Sequence, residues 1–234
     1  MSSAPDPDPV TYEDSDYAPW LEVESDRIVR LVRLLTEWIW DHVYRLRSHG
    51  AEHIPPAGAF LMVPNHSSYI DPFVQVRGQS RVVHYMAKSS LLETPIIGRI
   101  VKAGGGFPVR RGRGDGFAIE LARRLLRAGA PVVIYPEGTR YRDSIALGPA
   151  RRGAARIALE MRVPVVPVAT WGNKARAVYG RPRWRRPKLD TVFGEPMDFT
   201  HLDPTPENVE RVRDEIWSAV TELYERARVL NAAR

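Results

Sequence analysis

FLMVPNHSSYIDPF, residues 60–73, is an apolar run of strand length that breaks directly into a polar turn. Short apolar runs bounded by turn formers fit strands buried on both faces. Similar runs recur downstream as VVHYMAK (82–88), PVVIYPEGTR (131–140) and VPVVPVATW (163–171). Helical patterns lie between or after them. DGFAIELARRLLRAG (115–129) puts Phe117, Leu121 and Leu125 on one face, with Asp115 as N-cap and Gly129 as C-terminal stop. RRGAARIALEM (151–161) repeats the pattern at Ala154, Ile157, Ala158 and Met161. A last helix from Pro206 turns Val209, Val212, Ile216, Val220, Leu223 and Ala227 inward. Strands alternating with helices predict an α/β domain whose mostly parallel sheet is flanked by helices. Ligands of such sheets gather at the carboxyl ends of the strands, where NHSSYID and PEGTR fall.

Composition narrows the classes. The chain has 234 residues, 44% hydrophobic and 26% charged, as one globular domain would. It has no cysteine, which excludes disulfides and thiolate metal sites and fits a reducing compartment. No run of about eighteen uncharged apolar residues exists, so a conventional transmembrane helix is excluded. The start, MSSAPDPDPVTYEDSDY, lacks the basic and apolar regions of a signal peptide, so a cytoplasmic protein is expected. The first 26 residues hold eight acidic side chains and no Lys or Arg; without them the net +6 becomes +14. So basic a body attracts polyanions: nucleic acid, anionic headgroups or phosphorylated substrates.

His66 and Asp71, taken alone, admit two readings. Asn65, Ser67 and Asp71 could cap a helix with His66 as a satisfied polar neighbour. Alternatively, His66 is a general base and Asp71 supports its ring. The wider sequence favours a site. YPEGTR sets a carboxylate, a glycine, a hydroxyl and a guanidinium just past a buried strand. Glycine permits close approach to the backbone, and arginine suits bidentate phosphate binding. GGGFPVRRGRGDG (104–116) reads as a flexible basic loop. It lacks the GK[ST] of a P-loop and the spacing of a dinucleotide fingerprint, which leaves an anion site or a solvated basic turn.

Four blocks in this order resemble the glycerolipid acyltransferases, the 1-acylglycerol-3-phosphate acyltransferase family. They are NHSSYID, GGFPVRR preceded by YMAKSSL and PIIG, YPEGTR, and VPVVPVA. The resemblance spans roughly residues 47–200. It implies that His66 takes the proton from an acceptor hydroxyl and that Asp71 orients the imidazole. The substrate's own alcohol is then the nucleophile, so no acyl-enzyme forms. The Asn65 amide, or a backbone N–H near the following helix, is a candidate donor to the oxyanion. Arg111 would bind the acceptor phosphate, Glu137, Gly138, Thr139 and Arg140 would complete the acceptor pocket, and Lys88 would support it. Arg110 departs from the family, which commonly has an acidic residue there, and leaves the headgroup open.

The implied donor is acyl-CoA or acyl carrier protein and the leading acceptor a lysophospholipid, acylated at sn-2 to phosphatidic acid. The same chemistry on a glycolipid or specialised metabolite is the rival, and a non-catalytic basic membrane- or nucleic-acid-binding module the alternative from another class. No cofactor, no metal and no nucleic acid are expected. The expected layout is a disordered acidic tail (1–24), an amphipathic helix (25–48) and an acyltransferase domain (49–234). The helix either packs on the domain or lies in a membrane interface. A cluster at 176–188, with Arg176, Arg181, Arg183, Arg185, Arg186 and Lys188 around Trp184, is a second candidate for contact with anionic lipid. The expected location is therefore peripheral, on the inner face of the cell membrane.

Overall fold

A computed structural model describes residues 13–21, 37–77, 79, 81–109, 116–141, 145–172 and 188–234. Its described elements, in chain order, are α1 (Asp14–Leu21), a π-helical turn (Ile39–Val43), β1 (Arg47–His49), β2 (Leu61–Pro64) and α2 (Asp71–Gln75). Then follow β3 (His84–Lys88), α3 (Ser89–Leu92), α4 (Ile97–Ala103), β4 (Gly106–Val109), α5 (Gly116–Arg127) and β5 (Val132–Val133). The chain continues through α6 (Gly153–Met161), β6 (Val165–Trp171), β7 (Asp190–Phe193) and α7 (Pro206–Ala232). Seven strands form one sheet in the order β1-β7-β6-β2-β5-β3-β4. Every neighbouring pair is parallel except β6–β7. The expected α/β class and mostly parallel sheet are what the fold contains.

Alternation along the strands divides the core. In β2, Leu61 and Val63 join the side chains of α5, α6 and α7 on one face. Phe60 and Met62 turn to the other, with Tyr85, Ala87, Val101 and Phe193. Helices therefore cover both faces, as a parallel sheet with apolar strands requires. The long helix α7 lies along β6 and β7. It buries Val209, Val212, Ile216, Val220 and Ala227 as expected, but Tyr224 rather than Leu223 is the fully buried residue of its fifth turn.

Several boundaries differ from the sequence reading. The expected acidic tail includes α1, whose Tyr17 is buried, stacks on Phe117 with ring centroids 4.8 Å apart, and lies under Arg124. Acidic composition hid this anchor, because one aromatic is enough to dock a short helix. The expected helix over 25–48 is described only from Glu37; there it widens into the π-helical turn, closed by the Tyr44 N–H donating to the Ile39 carbonyl, and Arg47–His49 pairs with β7. Part of the expected flexible loop is a strand, since Gly106–Val109 pairs with β3 at the sheet edge. Gly105, at φ 90°, lets that strand start: a Cβ there would come within 2.9 Å of the Val83 carbonyl. Asp115, the expected N-cap, and the cluster at 176–187 lie outside the described residues.

His84 opens β3 from a buried position. Burial lowers its pKa from 6.5 to about 4, only partly opposed by a hydrogen bond with the Gly105 backbone. Below pH 6.5 the unfolded chain gains a proton that the folded chain refuses, so stability falls from that pH towards about 4. In chemical denaturation, His84→Gln should therefore lose about 2 kcal/mol less than the unmodified chain between roughly pH 7.5 and pH 5. Equal losses would show that His84 is not the group being protonated.

Candidate active site

The carboxyl end of β2 delivers Asn65, His66 and Ser67 into a buried position. Asn65 is clamped to β6: its Nδ2 donates to the Thr170 carbonyl at 3.2 Å, and its Oδ1 accepts from the Thr170 N–H at 2.8 Å. The amide expected to meet an oxyanion is thus held by a neighbouring strand, and Asn65 fixes where β2 ends. Gln75, at the end of α2, donates to the Asn65 carbonyl and to Thr170 Oγ1. Its Oε1 accepts from the Tyr135 hydroxyl at 2.9 Å. These bonds tie β2, β5, β6 and α2 into one network beneath His66.

Asp71 is wholly buried at the first position of α2. Its Oδ2 accepts from the backbone N–H groups of Ser67 at 2.6 Å and Ser68 at 2.7 Å. The same oxygen lies 3.1 Å from His66 Nδ1. A carboxylate is an acceptor, so Nδ1 carries the proton and Nε2 keeps its lone pair. Asp71 thus closes the turn and also holds the ring of His66. The imidazole is further held by Tyr135, with ring centroids 4.0 Å apart. Burial and the Asp71 charge raise the Tyr135 pKa well above its ordinary value, so this ring stays a neutral phenol.

The PEGTR turn acts mainly from behind. Glu137 is buried; Oε1 accepts from the His66 N–H at 2.7 Å and Oε2 from the Gly148 N–H at 2.9 Å. Its carboxylate therefore holds the His66 backbone and does not line the cleft. Gly138 supplies a positive φ of 65°, and a Cβ there would sit only 3.0 Å from the Arg151 side chain. Thr139 is exposed. Arg140 is the PEGTR residue that reaches the cleft, stacked over Tyr69 at 3.6 Å from the ring centroid. Its Nε and Nη1 have no hydrogen-bond partner among the described residues.

The cleft beside His66 has a volume of about 520 Å³ and is walled by Phe73, Tyr85, Leu91 and Val101, with Lys88 and Arg140 as its cations. The fold thus brings His66, Asp71, Lys88 and Arg140 to one place, and puts Asn65 and Glu137 in the support behind it. Arg111 lies outside the described residues. Sequence reasoning missed Tyr135, Gln75 and Thr170. A signal for Gln75 was its place four residues after Asp71, one helical turn on. Tyr135 directly precedes PEGTR.

Comparison with known proteins gives the class. The acyltransferase family profile matches residues 45–171, more than half the chain. The chain belongs to that family and is an enzyme of its type. It is 30% identical over 182 residues to the 1-acyl-sn-glycerol-3-phosphate acyltransferase of Bacillus subtilis, covering 76% of this chain and 87% of that protein. With the human 1-acyl-sn-glycerol-3-phosphate acyltransferase alpha the identity is 32% over 149 residues, covering 62% of this chain and 52% of the human protein. The crystal structure of the 1-acyl-sn-glycerophosphate (LPA) acyltransferase PlsC from Thermotoga maritima shares the fold. Its TM-score is 0.65 at 23% identity, over 89% of this chain and 87% of that one.

Removing the Glu137 carboxylate would orphan the N–H groups of His66 and Gly148 in the interior. Glu137→Ala should lower unfolding free energy by about 2 kcal/mol or more in urea titration. A variant as stable as the parent would mean that water replaces the carboxylate there.

Proposed function

We propose that this chain moves a fatty acyl group from a thioester donor, acyl-CoA or acyl carrier protein, to the free hydroxyl of 1-acyl-sn-glycerol-3-phosphate, giving phosphatidic acid. The observation that carries this reading is the buried His66–Asp71 pair opening on an apolar cleft that also holds Lys88 and Arg140. His66 Nε2 takes the proton of the acceptor hydroxyl as its oxygen attacks the thioester carbonyl carbon. Asp71 stabilises the imidazolium that forms. The tetrahedral intermediate then expels the thiolate, which recovers the proton from His66. The apolar walls suit fatty chains. The Arg140 guanidinium, with two donor nitrogens not engaged by the described residues, suits the acceptor phosphate. Arg111 joins it in this reading, and Gly138 and Thr139 shape the turn that presents Arg140. The names of the Bacillus and human relatives support the choice of acceptor. No described helix is long and apolar enough to cross a membrane. We place the enzyme as a peripheral protein on the inner face of the membrane, among anionic lipids.

His66→Ala should cut acyl transfer from an acyl-CoA to lysophosphatidic acid by roughly 10²- to 10⁴-fold, read by mass spectrometry of the product. Undiminished transfer would remove His66 from the chemistry. Arg140→Ala should raise KM for lysophosphatidic acid roughly tenfold while leaving KM for a phosphate-free monoacylglycerol unchanged. An equal effect on both acceptors would sink the phosphate assignment.

A further inference from the structure

Ile96, Ile97 and Ile100 are 74%, 48% and 37% exposed, yet they stand in a segment that also builds the cleft. Leu91, at the end of α3, and Val101, in α4, line its wall. α4 thus turns Val101 and Gly98 inward and Ile97 and Ile100 outward. The backbone is tightly set. A Cβ on Gly98 would lie 2.1 Å from the Leu92 carbonyl oxygen, and the Gly98 N–H donates to the Thr94 carbonyl at 2.7 Å. The isoleucines are therefore held outward by a close-packed helical hairpin.

The charges beside them have one dominant sign. Arg99 and Lys102 are exposed on α4, and neither is paired with a carboxylate among the described residues. Lys102 lies 4.8 Å from the centre of the Trp20 ring. Glu93 is the one acidic residue between Ser89 and Val109. Tyr69, which also lines the cleft, is 65% exposed. Grouped exposed apolar side chains flanked by cations match a bilayer interface carrying negative headgroups.

We propose that the hairpin spanning Leu91–Lys102 is the surface on which the protein seats on an anionic bilayer. Ile96, Ile97 and Ile100 insert among the acyl chains, and Arg99 and Lys102 meet the headgroups. This rests on the acyl-transfer reading of the cleft: because Leu91 and Val101 belong to both the hairpin and the cleft wall, a seated hairpin brings the cleft to the lipid. A fatty chain then passes from bilayer to cleft without exposure to bulk water. The surface differs from the two attachment segments expected from sequence.

The test uses the full chain and sedimentation with vesicles of phosphatidylcholine, with and without phosphatidylglycerol. The double substitution Ile96→Asp and Ile97→Asp should reduce binding to the anionic vesicles roughly tenfold or more, since both inserted side chains become charged. Transfer to a short-chain lysolipid kept below its micelle concentration should stay unchanged, because neither side chain lines the cleft. Ile96→Ser with Ile97→Ser should give an intermediate loss, and circular dichroism checks that both variants fold. Undiminished vesicle binding by the aspartate variant overturns the proposal. So does a parent chain that is dimeric, or that binds acyl carrier protein, through these isoleucines while its vesicle binding ignores them. If the parent binds vesicles through the isoleucines but transfers no acyl group, the docking surface stands and the acyl-transfer reading falls.

Discussion

A carboxylate with no exposure to water is costly unless its charge is met by donors, and three donors converge on one oxygen of Asp71. Two are backbone N–H groups of the turn it closes, and the third is the ring of His66. Glu137 is a second buried carboxylate, bonded to the His66 backbone. One residue is thus gripped at its ring by one acid and at its main chain by another. The acids come from segments 66 positions apart in the chain. His66 keeps its place only while β2, α2 and the turn after β5 keep theirs, so the integrity of the fold and the alignment of the ring are one constraint.

The sheet explains why these segments meet. β5 and β6 pair with β2 on either side in parallel register, so their carboxyl ends arrive together. Parallel strands alone would leave several polar ends facing an apolar interior. Asn65, Gln75, Thr170 and Tyr135 resolve this by bonding one another and the strand backbones. A network of this kind rigidifies only when all its members are satisfied. Placing it directly beneath His66 gives the ring a bonded floor, while the cleft above is lined largely by apolar side chains.

Much of this was legible in the sequence. The apolar runs at 60–65, 82–88 and 163–171 contain β2, β3 and β6, and the helical patterns contain α5, α6 and α7. His66 and Asp71 stood out because a polar turn followed a buried strand. The short strands β1, β4 and β7 were not read, since three or four residues carry too little pattern and their pairing is decided by distant partners. Glycines around Gly105 look like a loop in sequence; in space they allow an edge strand to lie against β3. For the same reason PEGTR read as a row of ligand-facing groups. Only the folded turn separates Glu137, which faces inward to a main-chain N–H, from Arg140, which faces the cleft.

That separation bears on how spacing should be used in such turns. NHSSYID first read as either a capping turn or a catalytic pair, and one oxygen of Asp71 both closes the turn and holds the ring on which the proposed chemistry depends. A carboxylate that only oriented the ring would leave the turn's N–H groups buried and unpaired. One that only capped the turn would leave Nδ1 without an acceptor and the tautomer unfixed. Five positions is the separation at which a single oxygen can do both, because the chain must turn through Ser67 and Ser68 to bring α2 back beneath the ring. The motif's length is therefore set by the geometry of the turn as much as by the chemistry of the pair.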